Sequence, residues 1–247
     1  MSNGHSLLKI FSTIGLMLTL GISMSADAGF FGFGGTSWKE EVLLHDGSKI
    51  IVERSFSRGG RHEITQGAPI KEQDINFTLP GTTQSITWKS EYGEDIGRSN
   101  FNLLALHILN GTPYIVASPN LCISYNKWGR PNPPYVFFKY DGKAWQRIPL
   151  AEFPAEFKEI NVVITVGDYD FTEATKKSAV ISAATVKKLN SELKQAEFKT
   201  ILREPIKSGT LGTDGASVNC IELVLYKGSW IMPDDSVMHR LLDRKAK

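Results

Sequence analysis

Four pairs of a polar residue followed by glycine, each set between runs rich in β-branched and aromatic residues, constrain this chain more than any other feature. They are Asp46-Gly47, Asn110-Gly111, Asp141-Gly142 and Lys227-Gly228. A two-residue hairpin turn of type I′ needs positive φ at both central positions, which Asn, Asp and Gly tolerate best. The pairs therefore predict hairpins from strands at 38–45 and 48–56, 102–109 and 112–117, 135–140 and 143–148, and, on the weakest turn, 221–226 and 229–232. Further strands are expected at 74–79 and 84–89. The turns start at 46, 110, 141 and 227 with no fixed period, so they are recurring hairpin chemistry and not a propeller-type repeat. The expected body is mainly β, an antiparallel meander or sandwich.

After Phe157 the pattern changes. Residues 160–166 (INVVITV) form a continuous apolar, β-branched run, which predicts a strand buried on both faces. Val186, Leu189, Leu193 and Ala196 then recur at steps of three and four, predicting an amphipathic helix over 183–203 that packs on the sheet and ends before Pro205; Phe198, Ile201 and Leu202 shift the stripe, which leaves a kink or a second short helix as the alternative. The fold class is thus α+β, β-rich with one C-terminal amphipathic helix. A single domain is expected over 38–232, preceded by a Gly/Phe-rich arm at 29–37 (Gly29, Phe30 and Phe31 open it) and followed by a polar, partly helical tail at 233–247. Residues 208–217 read as a loop.

Residues 1–28 read as a secretory signal peptide: Lys9 near the start, a thirteen-residue apolar run at 10–22, and Ala26-Asp27-Ala28 as the cleavage pattern, with the cut between Ala28 and Gly29. Thirteen helical residues reach about 20 Å, short of the ~30 Å hydrocarbon core, so an anchor fits less well. No cysteine follows the run, which rules out a lipid-anchored precursor of the lipobox type. The expected location is the periplasm or the medium, with no stable transmembrane span after cleavage. A formal charge of +2, with the charges dispersed, implies no nucleic-acid partner.

Export gives the two cysteines meaning. Cys122 and Cys220, 98 residues apart, are expected to form a disulfide between two strand-like segments, 121–125 and 219–226. On a chain-entropy view such a loop closure stabilises by ~4–5 kcal/mol. Two buried free thiols are the rival reading, and no local signature marks either cysteine as a nucleophile.

The search for catalytic motifs returns near misses. His62-Glu63 lacks the second histidine of a helical H-E-x-x-H. Asp168-x-Asp170 starts like a calcium loop, but Glu173 stands where glycine is needed and Ala179 where glutamate is needed. There is no nucleophile elbow, no phosphate loop and no dinucleotide fingerprint. Asp234, Asp235 and His239 would need a further ligand to hold a metal. No catalytic residue, metal site or cofactor is predicted. The alternative is a hydrolase-type enzyme whose site is assembled from scattered His, Asp and Ser residues; it requires a pocket that joins His45, His107 or His239 to a nucleophile or metal.

The densest chemistry lies at 125–145 (YNKWGRPNPPYVFFKYDGKAW). Alternating aromatics on a hairpin are first of all what a β core looks like. The functional reading is a stacking platform for a glycan, a peptide or an envelope protein, stiffened by the proline-rich loop. Its candidate residues are Tyr125, Trp128, Arg130 and Tyr135, with Trp128 the ring expected to be exposed.

The segment from Trp38-Lys39-Glu40-Glu41-Val42 to Asp46-Gly47, together with Cys122 and the hairpin at 140–145, resembles uncharacterised exported bacterial proteins with a W-x-E-x-V-x-L-x-D-G opening. The resemblance covers about half of the chain and implies export and a hairpin-rich fold. It implies no activity and no site residues.

Overall fold

Alternation builds the first sheet. In the computed structural model, which describes residues 35–207 and 217–245, strands β1 (Gly35–Leu43), β2 (Lys49–Arg58), β3 (Ile70–Thr78) and β4 (Ser85–Ser90) form an antiparallel meander in chain order. Every second residue points inward: Trp38, Glu40 and Val42 from β1, Val52, Arg54 and Phe56 from β2, Ile75 and Phe77 from β3, Ile86 and Trp88 from β4. The other face is largely polar and carries, for example, the Lys39–Glu53 ion pair at 2.9 Å. Gly35, Thr36 and Ser37, which the sequence assigns to the arm, are the first residues of β1 and pair with Ser57, Phe56 and Ser55. The expected signal peptide and the rest of the arm lie outside the described residues, as do residues 208–216 of the expected loop.

A short ladder of β5 (Tyr92–Gly93) and β6 (Arg98–Ser99) leads into the second sheet. It contains β7 (Phe101–Leu109), β8 (Thr112–Pro119), β9 (Val136–Tyr140) and β10 (Trp145–Ile148) in the order β10-β9-β8-β7, with helix α1 (Leu121–Lys127) between β8 and β9. One face of this sheet meets the inner face of the first, where Val42, Val52, Phe77 and Trp88 pack with Leu103, Leu106, Ile115 and Val136. Its other face carries Leu104, Ala105, Tyr114, Val116 and Phe137 into a second cluster with Phe153, Phe157 and Ile201. A register shift between Leu103 and Ala105 lets one strand serve both clusters with two adjacent residues, Leu104 and Ala105, on the same side.

The turn chemistry sorts differently from its sequence ranking. Asn110-Gly111 makes a two-residue turn (Leu109 opposite Thr112; φ +50° and +73°), and so does the weakest signal, Lys227-Gly228 (Tyr226 opposite Ser229; φ +45° and +79°). Both Asp-Gly pairs sit in longer loops, since pairing resumes only at Leu43–Lys49 and Tyr140–Trp145. The aspartates account for this. Asp46 Oδ1 accepts from the Ser48 amide at 2.9 Å, and Asp141 Oδ1 accepts from the Lys143 and Ala144 amides at 2.8 Å each. Each carboxylate binds the backbone two or three residues on and so widens the loop.

The run 160–166 is buried over 160–163 and half-buried beyond, and it is not a strand. It is an irregular strap that contributes Ile160, Val162 and Val163 to three different hydrophobic clusters. Side chains take the place of a neighbouring strand along it. Asn190 Nδ2 donates to Val162 O at 2.8 Å and Asn190 Oδ1 accepts from the Ile164 amide at 3.3 Å; Arg54 donates to Val163 O at 2.7 Å and Glu40 accepts from the Val163 amide at 3.3 Å. Asn161 similarly caps the outer edge of β7, accepting from the Leu106 amide at 2.9 Å and donating to Leu106 O at 2.7 Å and Leu43 O at 3.0 Å. These partners satisfy buried backbone that a ladder would otherwise serve.

Among the described residues there are four α-helices, where the sequence predicts one over 183–203 and a partly helical tail. Helix α2 (Tyr169–Lys177) is capped by Asp168, whose Oδ1 accepts from the Phe171 amide at 2.7 Å, so the aspartates that begin like a calcium loop instead start a helix. Helix α3 (Ala183–Ser191) is shorter than the predicted 183–203. Its Val186 and Leu189 pack with Trp38, Phe56, Val163 and Phe171, whereas Phe198, Ile201 and Leu202 belong to the cluster under the second sheet. One straight helix cannot face both, and the chain leaves α3 to cross between them. On the way, the Tyr135 hydroxyl reaches Glu197 O at 2.9 Å and Thr200 O at 3.1 Å.

The last segment forms a hairpin, β11 (Val224–Tyr226) and β12 (Ser229–Ile231), followed by α4 (Ser236–Lys245). It joins the body at α1. Cys122 and Cys220 are disulfide-bonded with their Cα atoms 5.3 Å apart, and Arg130 donates to Cys220 O at 2.7 Å and Ile221 O at 3.0 Å. The bridge therefore links a helix to an irregular segment and not two strands. Among the described residues no helix is long and apolar enough to cross a membrane.

Glu197 is an exception to the good pairing of the interior. It is buried, its Oε2 has no partner, and desolvation pushes its carboxyl above the usual range. A raised carboxyl favours the neutral form, so folding gains from this group at low pH and loses as pH rises through its titration. Glu197→Gln is expected to raise stability at pH 7 by up to about 1 kcal/mol, and to leave it unchanged near pH 4, in urea unfolding at both pH values.

Candidate functional site

The aromatic segment is where the sequence places a ligand platform, and the fold takes that platform apart. Tyr125 is buried in α1, where desolvation raises its phenol, and the Arg130 guanidinium lies 5.1 Å from its ring centroid. Tyr135 is buried under β9, with its hydroxyl spent on the two carbonyls named above. Arg130 is committed to Asn126, Cys220 and Ile221. None of the three can stack on or grip a ligand without breaking the fold. The alternation of aromatics marks core packing here, as it most often does.

Trp128 has another fate. It ends α1 half-buried and not exposed, with Phe101 at 4.5 Å between ring centroids and the Arg147 guanidinium 5.6 Å over it. Together with Phe138 and Trp145 it lines an open groove of about 420 Å³ between β4 and the second sheet. Thr87, Lys89, Glu91 and Asn100 supply the polar rim. Trp145 Nε1 donates to Thr87 O at 2.8 Å, which ties the edge of β4 to the hairpin. Trp145 and Phe138 lie in the segment singled out from the sequence, but which aromatics face outward depended on the strand register, and the pairing of Tyr140 with Trp145 sets that register.

A second concavity, of about 520 Å³, is enclosed by the first hairpin, β7, the start of the strap and α3. It joins two of the histidines that the sequence leaves as scattered candidates. His107 is fully buried on β7, and His45 sits at the end of the β1–β2 hairpin. Phe157 links them, stacked on His107 at 4.6 Å and edge-on to His45 at 5.0 Å. His107 Nε2 lies 2.9 Å from Glu159 O; a carbonyl only accepts, so Nε2 carries the proton and Nδ1 is a bare acceptor. Burial holds the His107 pKa down at about 4, and the ring is neutral at pH 7. Behind the wall Arg203 donates to Phe153 O and Phe157 O at 3.0 Å each, and Glu41 ties α3 in by accepting from the Ala183 amide at 3.0 Å. Among the described residues no serine, threonine, cysteine or aspartate lines the cavity. His239 stands elsewhere, on α4 against Tyr226. Among the described residues no three His, Cys, Asp or Glu side chains are grouped to hold a metal ion.

Sequence reasoning missed a buried charge pair. Glu40 and Arg54 show 0% and 1% side-chain exposure, with Arg54 Nη1 3.2 Å from Glu40 Oε1. Trp38 Nε1 donates to Glu40 Oε2 at 2.8 Å, Arg54 reaches Gln73 at 3.4 Å, and Gln73 donates to Phe101 O at 2.6 Å. The signal was present: Glu40 and Arg54 occupy the inward phase of strands whose other inward residues are apolar. The network holds the two sheets and the strap together; it lines neither concavity.

No protein-family model, no curated protein and no solved structure matches the chain.

Proposed function

We propose that this is an exported, non-catalytic binding module that takes a glycan of the cell envelope in the groove between β4 and the second sheet. The observation that carries the reading is the convergence of Trp128, Phe138 and Trp145 on one open groove with Asn100, Lys89 and Glu91 at its rim. Aromatic faces pack against the apolar faces of sugar rings, and amide and charged side chains match ring hydroxyls. A glycan suits the groove better than an added peptide strand, because the Trp145 indole already occupies Thr87 O on the edge of β4. Export to the periplasm or the medium, after cleavage between Ala28 and Gly29, agrees with the disulfide between Cys122 and Cys220. The same export is what the likeness to proteins with the W-x-E-x-V-x-L-x-D-G opening implies. The hydrolase alternative finds two histidines in one cavity, with no serine, threonine, cysteine or aspartate among the described residues that line it.

Titrating the mature chain with peptidoglycan fragments and a panel of neutral oligosaccharides, read by tryptophan fluorescence, tests the reading. Trp145→Ala is expected to weaken binding about tenfold or more, in keeping with the loss of an aromatic contact and its buried area. Tyr135→Phe should leave it unchanged. Absence of saturable binding to any glycan, or equal binding by Trp145→Ala, would remove the proposal.

A further inference from the structure

The cavity that holds His45 and His107 is separate from the groove, and its lining specifies a different kind of ligand. Leu43, Leu44, Ile160, Ala183 and Val186 make most of the wall apolar. Four charges stand at the rim, Glu156 and Glu159 against Lys158 and Lys187, all exposed and of cancelling sign. The wall therefore sets no demand for a charged molecule.

The polar atoms of the interior decide the rest. Asn161 lines the cavity, yet its amide is fully engaged with Leu106 and Leu43. The two imidazoles are not. Nδ1 of His45 and Nδ1 of His107 are both buried without a hydrogen-bond partner, and the Glu159 carbonyl fixes the His107 nitrogen as an acceptor. A buried acceptor left unpaired is costly, and a hydrogen-bond donor brought by a ligand removes that cost. Phe157, buried behind the wall, holds both rings in place, stacked on His107 and edge-on to His45, so that the flat surface the cavity offers is that of the imidazoles themselves. The volume, about 520 Å³, lies within the range of small-molecule sites.

We infer that this cavity is a binding site for a small, neutral, flat molecule that carries one hydrogen-bond donor, a phenol or an N–H heterocycle, with the donor directed to the His107 imidazole. An apolar molecule of the same shape leaves the imidazole unpaired and binds more weakly. A benzoate-type anion must forfeit its hydration where the rim offers no net positive charge.

The test uses the mature chain with phenol and indole as probes and toluene and benzoate as controls. Binding is followed by one-dimensional ligand NMR and by ¹⁵N shifts of the imidazole nitrogens. Phenol and indole are expected to saturate at least about tenfold more tightly than toluene and benzoate, and to move the His107 Nδ1 resonance. Ala183→Trp fills the mouth from α3 and should abolish binding while the far-ultraviolet spectrum stays unchanged. If that variant misfolds, Lys187→Trp at the exposed rim serves the same purpose. Trp145→Ala should leave probe binding unaltered, so that failure of the glycan groove and failure of this site are told apart. Equal affinity for toluene and phenol, an unmoved His107 resonance, or full binding by the folded blocking variant overturns the proposal.

Discussion

Glu40→Ala is expected to lower the unfolding free energy by about 3–5 kcal/mol, the usual cost of leaving one partner of a buried ion pair alone. The loss is large because three groups are stranded at once. The Arg54 guanidinium keeps 1% exposure and loses its anion, the Trp38 indole loses its acceptor, and the Val163 amide loses the carboxylate oxygen 3.3 Å away. Against a total stability of about 5–15 kcal/mol, a single substitution removes a third or more. The double variant Glu40→Leu/Arg54→Met removes both charges together and should recover most of the loss. A deficit of about 1–2 kcal/mol should remain, because the Val163 amide and carbonyl still lack partners. Urea unfolding followed by tryptophan emission gives both numbers. A double variant as unstable as the single one would show that packing, and not the uncompensated charge, sets the cost.

Acidification gives the second large effect. His107 ionises at about 4 in the folded chain against 6.5 for a free imidazole, because charging it means burying a cation against Phe157. In the window between those values the unfolded chain binds the proton and the folded chain does not. Stability is therefore fully present above pH 6.5 and drains as pH falls to about 4, by about 3 kcal/mol in total. His107→Phe should flatten the stability curve in that window. Glu197 acts in the opposite direction, since its raised carboxyl favours the folded chain as pH falls, and the comparison is cleanest in a Glu197→Gln background. Asp46, Asp95 and Asp141, held below the usual carboxylate range by their hydrogen bonds and Lys127, contribute only at more acid pH. A slope between pH 6.5 and 4 that survives His107→Phe would place the acid sensitivity elsewhere.

The hairpins were legible because their information is local. A strand with period-two alternation and a residue tolerant of positive φ are written within about ten positions, and β1 to β4 and β7 to β10 lie close to where the sequence places them. The disulfide was legible for a different reason: two cysteines leave one pairing. The strap at 160–166 was half legible. An apolar β-branched run announces burial, but a strand also needs a neighbour with free backbone, and here Glu40, Arg54 and Asn190 provide the partners from 26 to 123 residues away. The shortening of α3 followed from the same cause, since Phe198 and Ile201 answer to the second sheet and not to the helix before them.

The candidate sites were less legible than the fold, and Tyr125, Tyr135 and Trp145 show why. All three are aromatic residues in one rich segment, and nothing within that segment distinguishes them. Two are buried and one faces a groove because strand register and the docking of α1 turned them so. His45 and His107 lie 62 positions apart, each unremarkable in its local sequence. They meet only because β7 lies beside the end of the first hairpin and Phe157, supplied by a third segment, fills the space between them.

Residue order alone, then, determined the β-rich class, the positions of the hairpin strands and which two cysteines could pair, since each rests on short-range periodicity or on elimination. Which polar groups are buried together, which aromatics are left facing a groove and which histidines share a cavity were decided by the tertiary structure. Those outcomes depend on contacts between distant segments, and the free energy that selects them exists only once all of the segments are packed.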